Sequence, residues 1–208
     1  MATRELMADL TTARCGDPAG PLLVVIHGWG EDEERALRIA ERFDPYGSFH
    51  TVAPRGPNQV RGGYSWFRNP ADERGTRAAI GELREFIVTE AEGRDPGMSC
   101  VIGFSEGAAA ALALGYGTNP IGVRWVIAIA GFQPRNITFA GERPLPLPPV
   151  LLMRGKNDKT ISWKQSDHLA RTLEGMGATV AVRTFDGGHY IPTDALLEAR
   201  LWADEISS

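Results

Sequence analysis

Cysteine is nearly absent from the 208-residue chain, which excludes a disulfide framework. Only Cys15 and Cys100 occur, and Cys100 falls in an apolar run where a free thiol behaves as a small hydrophobe. Zinc patterns are missing too: there is no HExxH, no CxxC, and only four histidines, scattered at 27, 50, 168 and 189. No apolar run approaches the roughly 20 residues that a membrane-spanning helix needs. The segment from Met1 to Asp9 mixes charges where a secretory signal would carry its apolar core, so a cytoplasmic location is expected. Positive charge is not in excess either. A formal net charge of −4, with acids and bases interspersed, leaves no basic footprint for nucleic acid and no polybasic patch for anionic lipid. The partner to expect is a small molecule, with no nucleic acid, no integral membrane association, no metal and no cofactor.

What is present is ordinary for a globular protein: 43% apolar and 23% charged residues. The length fits one domain, 1–208, able to bury a core without staples. Leu22 to Ile26, Ser99 to Phe104, Trp125 to Ala130 and Val150 to Met153 are continuous apolar runs of the kind buried on both faces of a parallel sheet. Phe49 to Ala53 and Thr179 to Phe185 read as further strands, and residues 1–20 hold at most an edge strand. Between them lie helical patterns over Glu31 to Phe43, Arg74 to Ala91, Glu106 to Tyr116, Ser162 to Glu174 and Thr193 to Ile206. Strands alternating with helices predict an α/β fold, a mostly parallel sheet covered on both faces. The stretch from Pro54 to Pro70, rich in Gly, Pro and aromatics, is too long for a simple connection, and long loops are usually functional. The proline-rich run Arg143 to Pro149 reads as a stiff connection into a buried strand.

The chemistry centres on Gly103-Phe104-Ser105-Glu106-Gly107, a Gly-x-Ser-x-Gly pattern with a strand before it and an alanine-rich helix after it. In a nucleophile elbow the sharp strand-to-helix turn lifts the serine hydroxyl clear, and the glycines remove side chains that would collide. A serine is a poor nucleophile unless a base lies in reach, itself held by an acid. Active groups in such a sheet sit beyond the carboxyl ends of the strands. Two loops qualify: Arg154 to Thr160 offers Asp158, and Asp186 to Tyr190 offers His189. The order Ser105, Asp158, His189 is that of the α/β-hydrolases. Asp186 is the rival acid, followed by Asp194.

Of the other histidines, His50 and His168 read as structural. His27 opens His27-Gly28-Trp29-Gly30 after the first strong strand, where backbone N–H groups can approach a developing oxyanion. It is expected to brace that loop, leaving the N–H groups of Trp29 and Glu106 as the oxyanion hole. A dinucleotide reading of the same glycines fails because position 33 is Glu and four acids would repel a pyrophosphate. Trp29, Tyr64, Trp66, Phe67 and Phe132 fall in loops at the same end, and Trp66 and Phe132 are the leading candidates for a substrate pocket.

Taken together, the chain resembles the phospholipase/carboxylesterase group of α/β-hydrolases, which includes the acyl-protein thioesterases and small bacterial carboxylesterases. The resemblance rests on His27-Gly28-Trp29-Gly30, Tyr64-Ser65-Trp66-Phe67, Gly103 to Gly107, Ala130-Gly131-Phe132, Gly155 to Asp158 and Gly187-Gly188-His189. It implies a minimal hydrolase without a separate lid domain, a triad of Ser105, Asp158 and His189, and hydrolysis of carboxylic or thiol esters. One departure stands out: the group usually has Gln after the nucleophile, where this chain has Glu106. An added carboxylate there is expected to disfavour anionic substrates. The leading expectation is a carboxylesterase. An acyl-protein thioesterase or lysophospholipase, and a catalytically silent binding protein of hydrolase fold, are the alternatives.

Overall fold

The computed structural model of the protein describes residues 10–69, 72–94, 99–134, 137–139 and 146–207. The expectations for Met1 to Asp9, for Pro70 and for the first three residues of the proline-rich run lie outside these. In chain order the first half comprises β1 (Thr12–Gly16), β2 (Leu22–Ile26), α1 (Glu33–Phe43), β3 (His50–Pro54), β4 (Asn58–Val60), β5 (Gly63–Ser65) and α2 (Glu73–Glu90). The second comprises β6 (Cys100–Phe104), α3 (Glu106–Tyr116), β7 (Trp125–Ile129), β8 (Val150–Gly155), α4 (Trp163–Gly175), β9 (Val180–Phe185) and α5 (Thr193–Ser207).

Seven strands form one sheet in the order β1-β3-β2-β6-β7-β8-β9. All neighbours pair in parallel except β1, which runs antiparallel to β3 at one edge. This is the mostly parallel α/β sheet that the apolar runs predict. Every residue of β2, β6 and β7 is buried, because alternate side chains enter two separate cores. Leu22, Val24 and Ile26 join Val101 and Val126 beneath α2, α3 and α4. Leu23 and Val25 join Ile102 and Ile127 beneath α1 and α5. Helix α1 buries Ala36, Ile39, Ala40 and Phe43, one stripe at helical spacing. Helix α3 is buried on all sides, which its run of small alanines permits.

The topology opens the site. From β2 the chain moves outward through α1 to β3, then returns through α2 to β6, so β2 and β6 are neighbours whose following helices lie on opposite faces. A crevice forms beyond the carboxyl ends of two such strands. The loop from His27 and the elbow at Ser105 both empty into it.

Two local features depart from the sequence reading. The long loop after β3 contains the hairpin β4–β5, and Tyr64 bridges Glu31 through Gly30 N–H to Tyr64 O and Tyr64 N–H to Glu31 O, both 2.8 Å. Helix α1 therefore starts two residues later than expected, with Asp32 as the cap that accepts the Arg35 N–H. Among the described residues no helix is long and apolar enough to cross a membrane.

Candidate active site

Ser105 sits at the turn between β6 and α3 with φ +53°, a value that side chains other than glycine rarely adopt. Its position before a helix would suit a serine cap, yet its hydroxyl makes no capping bond. Instead Ser105 Oγ lies 2.9 Å from His189 Nε2. The other ring nitrogen, Nδ1, lies 2.8 Å from Asp158 Oδ2. An ionised carboxylate only accepts, so Nδ1 carries the imidazole proton and Nε2 is left to receive that of Ser105.

Asp158 is fixed from both sides. Its Oδ1 accepts the N–H groups of Thr160 at 2.8 Å and Ile161 at 2.9 Å, leaving Oδ2 for the histidine. Burial alone would push this carboxyl up, but the Ile161 and Thr160 N–H groups and His189 outweigh it and hold it below the ordinary aspartate value. The rival acids are elsewhere. Asp186 is exposed and paired with Lys156, and Asp194 accepts the N–H of its neighbour Ala195 at the start of α5. The three residues that chain order singled out thus come together.

The loop after β2 is held by its own histidine. His27 is fully buried, and its Nε2 accepts the Gly56 N–H at 2.9 Å, so Nδ1 must be the protonated nitrogen that donates to Gly28 O at 2.8 Å. Burial lowers its pKa and keeps it neutral. Further ties come from the Trp66 indole N–H, which donates to His27 O at 3.0 Å, and from Glu31, whose carboxylate accepts the Gly28 N–H at 2.8 Å. His27 is a brace, as its position suggests. The N–H of Glu106 belongs to the first turn of α3 and has no carbonyl of its own helix to bind.

A cavity of about 450 Å³ opens at Ser105. Its apolar wall comes from Trp29, Phe67, Phe132, Pro134, Ile161 and Leu169. Polar contributions come from Thr76, Gln133, Thr160, Gln165 and His168, besides Glu106. Phe132 is where the sequence placed it. Trp66 is not: it is buried beneath the site, 1% exposed, and holds His27 rather than facing the cavity, while its neighbour Phe67 forms the wall. His168, read as structural, also lines the cavity, and α4 supplies three wall residues in all. That could not be seen in the sequence, since helix packing alone brings α4 over the elbow.

The Glu106 carboxyl is turned away from open solvent, 6% exposed. It accepts the Trp66 N–H at 2.9 Å and the Phe67 N–H, and lies 3.0 Å from the Ser65 hydroxyl. Burial pushes its pKa up against these donors. Glu106 is thus a cavity residue whose carboxyl is engaged by the Tyr64 to Phe67 segment, which takes up much of its hydrogen-bonding capacity. Among the described residues no three His, Cys, Asp or Glu side chains converge as metal ligands would.

Comparison with known proteins bears on the family and the fold. The chain is 27% identical over 190 residues to the putative hydrolase MhqD of Bacillus subtilis (strain 168), covering 88% of this chain and 92% of that protein. Its fold matches the crystal structure of esterase PE8 with TM-score 0.78 and 25% identity, covering 95% of this chain and 98% of the other. It matches the Bacillus cereus carboxylesterase with TM-score 0.79 and 25% identity, covering 96% and 95%. Residues 36–200, well over half of the chain, match the family model described as Serine hydrolase (FSH1), and the chain belongs to that family.

Proposed function

We propose that the protein is a carboxylesterase that cleaves small uncharged esters through an acyl-enzyme on Ser105. The observation that carries this reading is the continuous hydrogen-bonded line from Ser105 Oγ through His189 to Asp158 at the mouth of a largely apolar cavity. Ser105 attacks the ester carbonyl as His189 Nε2 takes its proton. The imidazolium so formed is stabilised by Asp158. The N–H groups of Glu106 and Trp29 receive the oxyanion, and His189 returns the proton to the departing alcohol. Water, activated by the same histidine, then releases the acid.

The cavity bears on the substrate class. Its largely apolar wall suits an uncharged acyl group, its volume admits a small or medium one, and no Lys or Arg is among the described residues that line it. Resemblance to an esterase and a carboxylesterase of known structure supports ester hydrolysis. The test is a panel of p-nitrophenyl esters and matched thioesters of increasing chain length, with Ser105→Ala as the control. Short neutral esters are expected to turn over and Ser105→Ala to be silent. Retained activity in Ser105→Ala would overturn the mechanism, and cleavage confined to long thioesters would favour the acyl-protein thioesterase instead. Failure of the folded protein to react with a fluorophosphonate would favour the silent binding protein.

A further inference from the structure

The two halves of the oxyanion hole lie on different strands: Glu106 N–H follows β6, and Trp29 N–H follows β2. Donors of this kind act only if they converge within about 2.7–3.1 Å of the developing charge, so something must fix one loop against the other. We propose that the Glu106 side chain is a positioning residue that does this through Trp66 and His27. The inference rests on the ester-hydrolase reading above.

The linkage is continuous. The Trp66 backbone N–H donates to Glu106 Oε2 at 2.9 Å, the Trp66 indole N–H donates to His27 O at 3.0 Å, and His27 Nδ1–H donates to Gly28 O at 2.8 Å, one residue before Trp29. Ser65, Trp66 and His27 are at most 1% exposed, so water does not compete for these bonds. The residue that donates one half of the oxyanion hole from its backbone thus holds the other half with its side chain. Nothing in the Gly-x-Ser-x-Gly pattern requires this, because its fourth position is free.

The network also defines which replacement is tolerated. Ser65 Oγ lies 3.0 Å from Phe67 O as well as from both Glu106 oxygens. A glutamine can accept the backbone N–H groups with its carbonyl and donate its amide to Ser65 Oγ, whose own proton then goes to Phe67 O. An alanine leaves the buried Trp66 and Phe67 N–H groups without an acceptor.

The experiment measures steady-state hydrolysis of a short neutral p-nitrophenyl ester by the parent, Glu106→Ala, Glu106→Gln and Trp66→Phe proteins, with active sites counted by fluorophosphonate titration. Oxyanion donors act in the transition state, so Glu106→Ala and Trp66→Phe should each lower kcat by about 10²-fold while KM moves less than about threefold. Glu106→Gln should return kcat to within about threefold of the parent, and the Glu106→Ala/Trp66→Phe double variant should be no slower than the worse single one. Unchanged kcat in Glu106→Ala, or losses that multiply in the double variant, would overturn the proposal. Should Glu106→Ala not fold, Trp66→Phe still tests the proposal, since it keeps the backbone bond to Glu106 and breaks the indole link to His27, and an unchanged kcat in it would overturn the linkage. If the parent cleaves no ester, the hydrolase reading fails, and the linkage is judged from the Trp66 indole N–H resonance in ¹⁵N-labelled protein. Its displacement in Glu106→Ala and recovery in Glu106→Gln uphold the linkage, and an unmoved signal in Glu106→Ala overturns it.

Discussion

Gly103 and Gly107, which flank Ser105, lie back to back: a Cβ on Gly103 would come 2.3 Å from the Gly107 carbonyl oxygen. One on Gly107 would come 2.2 Å from the Ile26 carbonyl oxygen, in the neighbouring strand. Both obstacles are backbone, which cannot swing aside as a flexible side chain would. Gly103→Ala and Gly107→Ala are each expected to cost about 3 kcal/mol or more, the upper range for overpacking a tight interior. Gly81, within α2, has nothing within 4 Å of its would-be Cβ. Gly81→Ala should therefore stabilise by about 0.5–1 kcal/mol, as removal of glycine from a helix interior does. Urea unfolding of the three variants checks the opposite signs.

Ser105 itself holds strained backbone, at φ +53° and ψ −113°. Such conformations cost about 1–3 kcal/mol in residues other than glycine. Ser105→Gly relieves the strain and Ser105→Ala does not, so Ser105→Gly is expected to be the more stable of the two by about 1 kcal/mol despite the larger chain entropy of glycine. In a domain of this size that is a difference of about 2–4 °C in Tm. Both should lose activity by about 10⁶-fold, the scale on which removing a triad serine acts. A calorimetric comparison giving the reverse order of Tm would show that the elbow is not strained.

The features that a sequence records one segment at a time were legible. Leu22 to Ile26 and Trp125 to Ile129 are so uniformly apolar that only a strand buried on both faces suits them, and they lie in the sheet interior. The convergence of Asp158 and His189 on Ser105 is legible because a parallel sheet gathers the loops that follow its strand ends. What could not be read depends on how separate segments meet. Trp66 and Phe67 are adjacent and both aromatic, and only the Tyr64–Glu31 bridge and the packing on His27 decide which one faces the cavity. Likewise, the amphipathic pattern of α4 tells which stripe is buried but not that His168 and Gln165, outside the buried positions, line the same cavity as Ser105. Glu106 was recognised as unusual, yet its partners lie some 40 residues away in sequence.

Acid should act through three carboxylates held below their ordinary values. For Asp158 and Asp44 burial works in the other direction but is outweighed, by the Ile161 and Thr160 N–H groups and His189 in one case and by Ser48, the Phe49 N–H and Arg200 in the other. For Glu33 the hydrogen bond from Arg55 leads. A depressed folded-state pKa adds stability that is complete above the unfolded value, about 3.9 for Asp and 4.3 for Glu, and that is lost as pH falls through the folded value. The unfolding free energy is thus expected to be flat with respect to these groups above about pH 5 and to fall steadily below about pH 4. Asp44→Asn, far from Ser105 and bonded to Arg200, should flatten that slope while leaving esterase kinetics unchanged. Asp158→Asn should flatten it too and also lower kcat by about 10⁴-fold, because the histidine then loses the carboxylate that sets its tautomer. Urea titrations at a series of pH values, paired with rates at neutral pH, separate the two.

The cavity wall predicts how substrate length can be tuned. Phe132 lines the cavity and is only partly buried, so its truncation enlarges the space without emptying the main core. Leu169, on α4, also lines this space and is 2% exposed, and the added bulk of a phenylalanine there is expected to narrow it. Each methylene newly accommodated is worth about 0.8 kcal/mol, or about fourfold in kcat/KM. Phe132→Ala is therefore expected to move the optimum toward longer acyl chains by one or two carbons, gaining about four- to sixteenfold on those esters relative to acetate. Leu169→Phe should do the reverse, keeping acetate turnover and losing the longer esters. The profile of kcat/KM against acyl length for parent and variants is the measurement. If both variants retain the parent profile, the acyl group does not occupy this cavity, and the leaving alcohol must lie there instead.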